Sequence, residues 1–489
     1  MHTLIWLRTD LRLHDNPALA AAAAEGTATA LFIAAPGQWR LHGDAPAKVD
    51  FWLRNLRTLS RDLARLGIPL KLLTVDTWEQ VPDALPRFCR EHGITAVHAN
   101  TEWAVNERRR DDAVACRLAE AGIDWTLHHG ASLLRPGTVV TGKGDCYRVY
   151  TPYARACRER LRSAPPRALP APRPQAAPAW AADPLPEAFE GYAPASDAIR
   201  ALWPAGESAA GARLDAFADG VIDAYRDERD FPSLPATSCL SPYLAAGVLS
   251  PGQALRAALA ANQGELESGK AGATTWINEL LWREFYQHLL AACPALSMHQ
   301  PMKPETAAVP WRDAPDDLRA WQQGRTGLPI VDAAMRQLLA LGWMHNRLRM
   351  VTAMFLTKNL LIDWRLGEAW FMAHLVDGDL AANNGGWQWS ASTGADSVPY
   401  FRVFNPLSQS RKFDPRGVFL REWLPELAHL DDNAIHDPSP MERAAPKAGC
   451  ARWRPSATCP RPERRPKSSI TSWPPRLALI YVSYSFRMF

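Results

Sequence analysis

Short apolar runs alternate with longer segments of helical periodicity over the first 130 residues. The runs LIWL, ALFIA, LKLLTV and ITAVHA have the length and composition of strands, and FWLRNLRTLSRDLARLG has that of an amphipathic helix. Strands that alternate with helices pair in parallel, so residues 1–132 are predicted to form an α/β domain with a doubly wound, Rossmann-like sheet. Asp15 or Asn16 can cap the first helix, which has Pro17 in its first turn. No GxGxxG follows the first strand, which disfavours a nicotinamide dinucleotide site there.

The hydrophobic pattern changes three times further along the chain. Residues 133–202 are predicted to connect two domains, because eight prolines between positions 165 and 186 leave few large apolar side chains for a core. Residues 203–437 show long helical periodicities with little β-branched alternation and predict an all-α domain. Residues 438–489 are rich in Pro, Arg and Ser without an amphipathic period, and we expect that tail to be disordered.

Tryptophan is the unusual residue in an otherwise ordinary globular composition. The 489 residues include 20 Trp against 10 Tyr and 15 Phe. The net charge of +4 is small, so an anionic partner would be met by a local basic patch. The eight cysteines form no CxxC pair and no metal-ligand spacing with His, and no apolar run approaches the roughly 20 residues that cross a bilayer. We therefore expect a cytoplasmic protein without a metal site.

The segment DGDLAANNGGWQW, from Asp377 to Trp389, is the strongest candidate for a binding site. It combines two carboxylates, two asparagines and two indoles within thirteen residues. Buried polar groups must be hydrogen-bonded, so this mixture favours a large polar and aromatic ligand, and we expect a flavin. The alternative is a turn between helices, in which Gly385 and Gly386 supply positive φ.

Two predicted helices and one helix start add further polar and aromatic side chains. One face of the first helix, within about 120°, consists of Trp276, Glu279, Trp282 and Arg283. Its alternative interpretation is an amphipathic helix with a bridge between residues four apart on its rim. An inward stripe of the second helix consists of Trp343, Asn346, Arg349 and Met350. In TSCLSPYLAAG the hydroxyls of Thr237, Ser238 and Ser241 lie at the start of a helix, where they can hold a pyrophosphate or act as ordinary caps.

Six motifs together resemble the DNA photolyase and cryptochrome family. In chain order they are IWLRTDLRLHDNPAL, RDFP, TSCLSPYLAAG, WINELLWREFY, GWMHNRLRM and DGDLAANNGGWQW. The similarity runs from residue 2 to about residue 437, in the family's order and spacing. Within the family, the chain is most similar to bacterial class I cyclobutane pyrimidine dimer photolyases. The resemblance implies light-driven repair of such dimers in DNA, and a helical domain that binds FAD.

The family's FAD-binding positions can be carried onto this sequence residue by residue. Around the phosphates and the ribityl chain the resemblance implies Tyr225, Thr237, Ser238, Leu240 and Ser241. Around the isoalloxazine it implies Trp276, Glu279, Arg283, Asn346, Arg349, Asp377, Asp379 and Asn383. In this interpretation Arg349, paired with Asp377, compensates the reduced anionic flavin, and the amide of Asn383 meets the flavin N5 in either redox state.

The resemblance also implies how a lesion would be bound after it leaves the duplex. The dimer would lie against Trp282 and Trp389, with Glu279, Asn346 and Met350 touching its two bases. Phosphates would be met by Arg229, Arg347, Arg402 and the segment SRKFDPRG. Over residues 402–421 a local charge of about +4 accumulates, from Arg402, Arg411, Lys412, Arg416 and Arg421 against Asp414. For any one of these arginines, a solvated surface position is the alternative. Glu279 would stabilise the negative charge that develops on the dimer.

Two further groups of residues concern light and electrons. Trp387, Trp364 and Trp311 match the family's chain of tryptophans that reduces an oxidised flavin, with simple core packing as the alternative. Asn106 and Glu107 match the pair that holds a folate antenna in some relatives, but Met298 stands where those relatives have a lysine. We therefore doubt a folate antenna, and a deazaflavin, another second chromophore or none remains open.

Several functional alternatives remain at the sequence level. The main one is a cryptochrome, a blue-light photoreceptor that signals through a partner protein. Six-four photoproduct repair is disfavoured, because in relatives it relies on a histidine for which the neighbourhood of Met350 offers no equivalent. The tail ARWRPSATCPRPERRPKSS differs from the packed end of relatives, and a folded but inactive protein is a third possibility. We expect a monomer that binds ultraviolet-damaged DNA, is bacterial and associates with the nucleoid when bound to DNA.

Overall fold

A five-stranded parallel sheet forms the first part of the chain in the computed structural model, which describes residues 1–400 and 402–439. The strands are β1 (His2–Leu7), β2 (Thr27–Ala34), β3 (Leu70–Thr74), β4 (Ala96–Asn100) and β5 (Asp124–His128). Their order across the sheet is β3-β2-β1-β4-β5, and all pairs are parallel. Consecutive residues of β1 and β2 are buried, so helices cover both faces, as the doubly wound prediction requires.

The predicted strands are confirmed at four positions, and the fifth was missed. Strand β5 has the sequence DWTLH at one edge of the sheet, and most of its residues are exposed or half-buried. An edge strand of this kind carries no apolar run, which is why the hydrophobic pattern did not indicate it. Elsewhere the core packs as expected, with Leu4, Leu31 and Val97 of the sheet meeting Val114 and Leu118 of a covering helix.

Helices occupy most of the remaining described chain. Up to residue 228 they are α1 (Pro17–Glu25), α2 (Pro36–His42), α3 (Pro46–Arg65), α4 (Val81–Glu91), α5 (Val105–Glu120), α6 (Tyr150–Ser163), α7 (Asp197–Leu202), α8 (Glu207–Ala216) and α9 (Ile222–Glu228). Beyond it they are α10 (Ser241–Ala245), α11 (Pro251–Ala261), α12 (Ala271–Ala292), α13 (Pro315–Gln322), α14 (Pro329–Leu341), α15 (Asn346–Met354), α16 (Trp364–Met372), α17 (Leu380–Ala391), α18 (Pro406–Phe413) and α19 (Val418–Trp423). In the described part no strand follows β5, which agrees with the predicted helical region.

Asn16, rather than Asp15, caps the first helix. The side chain of Asn16 accepts the N–H of Leu19 at 3.2 Å, and Pro17 occupies the first turn. Asp15 has a left-handed backbone (φ 51°), and its carboxylate instead accepts the N–H of Leu169 at 2.7 Å and the hydroxyl of Ser250 at 2.8 Å. Asp15 therefore joins segments that are far apart in the sequence.

The proline-rich segment carries no helix or strand between residues 164 and 196, and it is fixed along the sheet. The side chain of Gln175 bonds both backbone groups of Ala28, at 2.9 and 2.8 Å. The indole N–H of Trp180 donates to the hydroxyl of Thr29 at 3.2 Å, and Asp183 accepts the N–H of Leu72 at 2.9 Å. Polar side chains thus hold a connection that lacks the apolar residues needed for a layer of its own.

Two compact units divide the chain. The first contains residues 1–226, 237–297 and 372–382, and the second contains, of the described residues, 227–236, 298–371, 383–400 and 402–439. The domain boundaries at residues 132, 202 and 437 stay predictions. Among the described residues, no helix is long and apolar enough to span a membrane. The predicted disorder of the tail concerns residues that lie almost entirely outside the described chain.

Candidate functional site

Trp276 and Tyr225 belong to one aromatic cluster in the first unit. Trp276 is buried, its ring lies 4.9 Å from that of Phe217, and Phe217 meets Tyr225 edge-on at 5.6 Å. Helix α12 approaches this cluster closely because Gly272 has no side chain: a Cβ there would lie 1.9 Å from the carbonyl oxygen of Ile222. The structure thus brings together two residues that the sequence places 51 positions apart.

Three further predicted residues on α12, Glu279, Trp282 and Arg283, are half-buried. Arg283 donates from Nη1 to the carbonyl oxygen of Ala131 at 3.0 Å and from Nη2 to that of Leu244 at 3.5 Å. These bonds hold the guanidinium against backbone oxygens, so Arg283 is not simply a rim residue of an amphipathic helix. The indole of Trp282 stacks on another aromatic ring, which is described further below.

Hydroxyl groups lie at the start of helix α10, as the sequence predicts. Thr237 and Ser238 precede the helix and Ser241 begins it, all three half-buried, while Leu240 is 1 % exposed. The hydroxyl oxygen of Thr237 lies 3.4 Å from the sulfur of Cys239, whose backbone is left-handed (φ 48°). Hydroxyl donors at this position are chemically suited to phosphate oxygens.

The segment from Asp377 to Trp389 is mainly helical, and the alternative of an inter-helix turn is wrong. Helix α17 runs through Gly385 and Gly386, neither of which has positive φ. Asp379 caps this helix by accepting the N–H of Ala382 at 2.9 Å, and it also accepts from Nε2 of Gln287 at 3.1 Å. Interior glycines cost a helix about 1 kcal/mol each, so tertiary packing rather than local preference decides this segment.

Glu368 organises the two asparagines of this helix and was not predicted. Its side chain is completely buried in α16, where Oε1 accepts from Nδ2 of Asn384 at 2.9 Å and Oε2 lies 3.0 Å from Nδ1 of His299. The backbone oxygen of Glu368 accepts from Nδ2 of Asn383 at 3.0 Å. The hydrogen bond with Glu368 raises the pKa of His299. A carboxylate between Leu366 and Trp370, among the apolar residues of helix α16, was the signal available in the sequence.

Trp387 and Trp364 are packed as core residues, and Trp311 and Trp389 are half-buried. The ring of Trp387 meets Phe371 at 5.0 Å and Trp321 at 5.9 Å, both edge-on. Trp311 packs near Val309 and Tyr400. These contacts explain how the rings are held, and the predicted transfer of electrons through them stays a prediction.

The predicted inward stripe of four residues on the second helix is wrong at its first two members, Trp343 and Asn346. Helix α15 begins at Asn346, so Trp343 lies before the helix and not on its face. The preceding helix ends at Gly342 in the left-handed conformation (φ 63°), and the ring of His345 then caps α15. Burial lowers the pKa of this His345 to about 4. Asn346 is exposed at the helix start, and Met350 is half-buried.

Arg347 is fixed between a carboxylate and an aromatic ring. Its Nη2 lies 2.5 Å from Oδ2 of Asp230, and its guanidinium lies 4.6 Å from the ring centre of Phe413. Its Nη1 lies 3.8 Å from the sulfur of Met350. Arg229 also contacts Asp230, with Nε 3.8 Å from the carboxylate. Two predicted phosphate-binding arginines therefore contact one carboxylate, which offsets part of their own positive charge.

Four cations remain exposed around SRKFDPRG. They are Arg402, Arg411, Lys412 and Arg416. The carboxylate of Asp414 does not pair with these cations at the surface. It is 1 % exposed and accepts the N–H groups of Phe419 and Leu420 at the start of α19. Arg421 pairs with Asp432 at 2.9 Å and is a weaker candidate for phosphate.

Lys358 lies buried at the end of helix α17. Its Nζ lies 2.5 Å from the hydroxyl oxygen of Ser392 and 3.5 Å from the carbonyl oxygens of Ala391 and Tyr400. Burial lowers the pKa of Lys358 to about 7. Between pH 7 and about pH 10, the unfolded chain therefore holds a proton on this lysine that the folded chain has largely lost. This difference makes the free energy of unfolding rise with pH over that window.

Replacing Lys358 with methionine is expected to flatten this pH dependence by up to about 1 kcal/mol per pH unit. Methionine keeps a similar length without a titrating group, and chemical denaturation at pH 7, 8 and 9 measures the slope. The control is Lys412→Met, which removes an exposed lysine and should leave the slope unchanged. Equal slopes for the wild type and Lys358→Met would contradict the lowered pKa.

A second polar cluster lies in the α/β region at the predicted antenna pair. Nδ2 of Asn106 lies 3.0 Å from Nε2 of His42, which is also 2.9 Å from the amide of Gln38. Oε2 of Glu107 is buried without a hydrogen-bond partner among the residues described, and burial raises the pKa of Glu107 to about 7. A buried acceptor of this kind suits an N–H group of a ligand. Met298 is 49 % exposed and supplies no charge.

Comparisons with known proteins agree with the resemblance. Residues 3–175 match the family model described as DNA photolyase, and residues 276–462 match the FAD binding domain of DNA photolyase. The deoxyribodipyrimidine photo-lyase of Salmonella typhimurium is 46 % identical over 451 residues, which cover 91 % of this chain and 93 % of the relative. That of Escherichia coli is 45 % identical over 440 residues, 89 % of this chain and 91 % of the relative.

Solved structures of the same family also match this fold. A bacterial class III photolyase from Agrobacterium tumefaciens has a TM-score of 0.84 at 34 % identity and covers 98 % of this chain and 97 % of its own. A cryptochrome from Synechocystis has a TM-score of 0.79 at 28 % identity, with coverage of 93 % and 96 %. An archaeal photolyase from Sulfolobus tokodaii, described with two FAD molecules, has a TM-score of 0.76 at 26 % identity, with coverage of 96 % and 99 %.

Proposed function

Because this chain belongs to the DNA photolyase family, we propose that it is a deoxyribodipyrimidine photo-lyase that repairs cyclobutane pyrimidine dimers with light. The observation that carries the proposal is the 46 % identity to a relative of that name over 91 % of the chain. When bound in its reduced form, FAD supplies the electron that opens the dimer after absorption of blue light, and no net redox change results. The protein's own residues bind FAD and the dimer, orient them relative to each other, and exclude water from the site.

The donors present fit FAD. The hydroxyls of Thr237, Ser238 and Ser241 suit its phosphates, and the buried rings of Tyr225 and Trp276 offer apolar surface. The remaining residues proposed to hold FAD are Leu240, Glu279, Arg283, Asn346, Arg349, Asp377, Asp379 and Asn383. Among them, Arg349 would compensate negative charge and Asn383 would meet the flavin N5. The bond from Asn383 to the backbone of Glu368 supports that role, because it fixes the orientation of the amide.

We propose that Trp282 and Trp389 form the stacking surfaces of the lesion site, because both indoles are half-buried. Glu279, Asn346 and Met350 would orient the two bases. Phosphates would be met by Arg229, Arg347 and Arg402, together with the exposed cations Arg411, Lys412 and Arg416 of the segment SRKFDPRG. Stacking on one aromatic ring is worth about 1 to 3 kcal/mol, so two rings offset much of the cost of extruding a distorted dinucleotide.

The remaining assignments concern electrons, light and assembly. Trp387, Trp364 and Trp311 are proposed to deliver electrons to oxidised FAD. The unpaired oxygen of Glu107 supports a second chromophore in the α/β region, whose identity stays open because Met298 replaces a lysine. The monomeric state, the cytoplasmic location and the association with the nucleoid stay predictions.

Blue light should be required for activity. Purified protein is expected to carry FAD and to restore ultraviolet-irradiated oligothymidylate under blue light but not in darkness, as measured by chromatography of the repaired oligonucleotide. Equal recovery in light and darkness would contradict the assignment. A protein that binds FAD but repairs nothing in light would instead favour the cryptochrome alternative, whose matching structure is only 28 % identical.

A further inference from the structure

Trp282 stacks face to face on Tyr150, a residue outside every predicted motif. The ring centroids are 3.7 Å apart and the planes differ by 5°. Both side chains are half-buried, and both belong to the first unit. Phe285 meets Trp282 edge-on at 5.7 Å, and Tyr286 lies 5.8 Å away. Tyr150 is therefore the ring that covers a face of this indole.

Two features hold Tyr150 in this position. Its hydroxyl donates to the carbonyl oxygen of Asn278 at 2.8 Å, one helical turn before Trp282 on α12. Its backbone begins helix α6 after the extended residue Val149. Aromatic side chains prefer offset or edge-on contacts to a parallel sandwich, so these anchors, rather than attraction between the rings alone, account for the geometry. The ring cannot turn away without breaking the bond to Asn278.

The spacing decides which surface of Trp282 a base can use. A base inserted between the two rings would need their planes about 7 Å apart, twice an ordinary contact distance. The observed 3.7 Å excludes that arrangement unless α6 moves. The face toward Tyr150 is therefore closed, and the opposite face of the indole is the one that can meet a base.

We propose that Tyr150 is a positioning residue for the lesion: it closes one face of Trp282 and fixes the indole plane for a damaged pyrimidine on the other. This inference rests on the proposed function, in which Trp282 stacks on the dimer. A side chain that is already fixed loses less conformational freedom when a ligand binds, and each side chain that must be immobilised costs affinity. Tyr150 would act through Trp282 and would not touch the reacting atoms.

The test is a double-mutant cycle on dark binding of ultraviolet-irradiated oligothymidylate, followed by fluorescence anisotropy of the FAD-containing protein. Tyr150→Ala is expected to raise the Kd about tenfold. Tyr150→Phe keeps the ring and the start of helix α6 but loses the bond to Asn278, so it should raise the Kd by less, within about threefold of the wild type. In a Trp282→Ala background, Tyr150→Ala should raise the Kd further by less than about twofold, because the indole through which Tyr150 acts is absent. Undamaged oligonucleotide should bind all variants alike.

Folding and specificity are controlled separately. FAD absorbance and the melting temperature report folding, and Tyr150→Leu, which keeps apolar volume without a π face, provides a second variant with the same expected loss. Val149→Ala, next to it in the chain and 41 % exposed, should bind like the wild type. Wild-type binding by Tyr150→Ala and Tyr150→Leu, or equal losses in both backgrounds, would overturn the positioning role alone. Unchanged binding by Trp282→Ala would overturn the proposed lesion site, and this inference with it.

Discussion

Trp282→Ala is expected to weaken dark binding of ultraviolet-irradiated oligothymidylate about thirtyfold, while the FAD content of the purified protein stays the same. The loss follows from the stacking energy of about 2 kcal/mol that one aromatic ring gives to a base. FAD content should persist because Trp276, rather than Trp282, is the buried indole of the proposed flavin site on the same helix. Anisotropy titrations with irradiated and untreated oligonucleotide measure the ratio of the two affinities.

The matched control is Trp125→Ala, which removes an indole from the parallel sheet. Trp125 is also half-buried, packs against Trp6 at 6.1 Å, and lies on the edge strand β5. Trp125→Ala should leave the ratio of affinities at the wild-type value. If both substitutions lowered it equally, a general loss of packing would explain the effect and the lesion-binding role of Trp282 would be contradicted.

Gly367→Ala is expected to lower the free energy of unfolding by about 2 to 3 kcal/mol, which is large for the addition of one methyl group. A Cβ at Gly367 would lie 2.1 Å from Cη2 and 2.4 Å from Cζ3 of Trp387. The indole cannot move aside easily, because Phe371 and Trp321 contact it and it is 2 % exposed. Chemical denaturation of the FAD-containing protein measures the change.

Gly386→Ala is the control, because it makes the same chemical change one residue before Trp387. A Cβ there meets nothing within 4 Å, and the residue lies inside helix α17. Alanine should therefore stabilise the protein by up to about 1 kcal/mol through helix preference. The opposite signs of the two substitutions are the critical result, and a loss of stability in both would contradict the packing of Trp387.

The sequence predicted the sheet and the helical region well because their signals are local. Runs such as ALFIA and the 3.6-residue period of FWLRNLRTLSRDLARLG depend on neighbouring residues alone, and the structure has a strand and a helix there. Strand β5 was not predicted, because an edge strand with polar residues has no apolar run. The placement of Trp343 on the second helix was wrong because the helical spacing was continued back through Gly342 and His345, which end one helix and cap the next.

The candidate site was predictable in part, through motifs that keep their residues together in the sequence. The helix start at Ser241 and the face of α12 follow from short segments. Tyr150 and Glu368 could not be found in this way, because their partners Trp282 and Asn384 lie 132 and 16 residues away. Neither spacing belongs to a helical or strand period, so only the folded chain shows these pairs.

The bonds from Asp15 to Leu169 and Ser250 set a condition on how the chain folds during synthesis. A ribosome delivers the strands of the sheet early, yet Asp15, just before helix α1, obtains the second of these two partners only after residue 250 has emerged. The first unit also includes residues 372–382, so its last native contacts wait until more than three quarters of the polypeptide has been translated. Until then the nascent sheet persists without its full support, and premature termination before that point leaves an incomplete first unit.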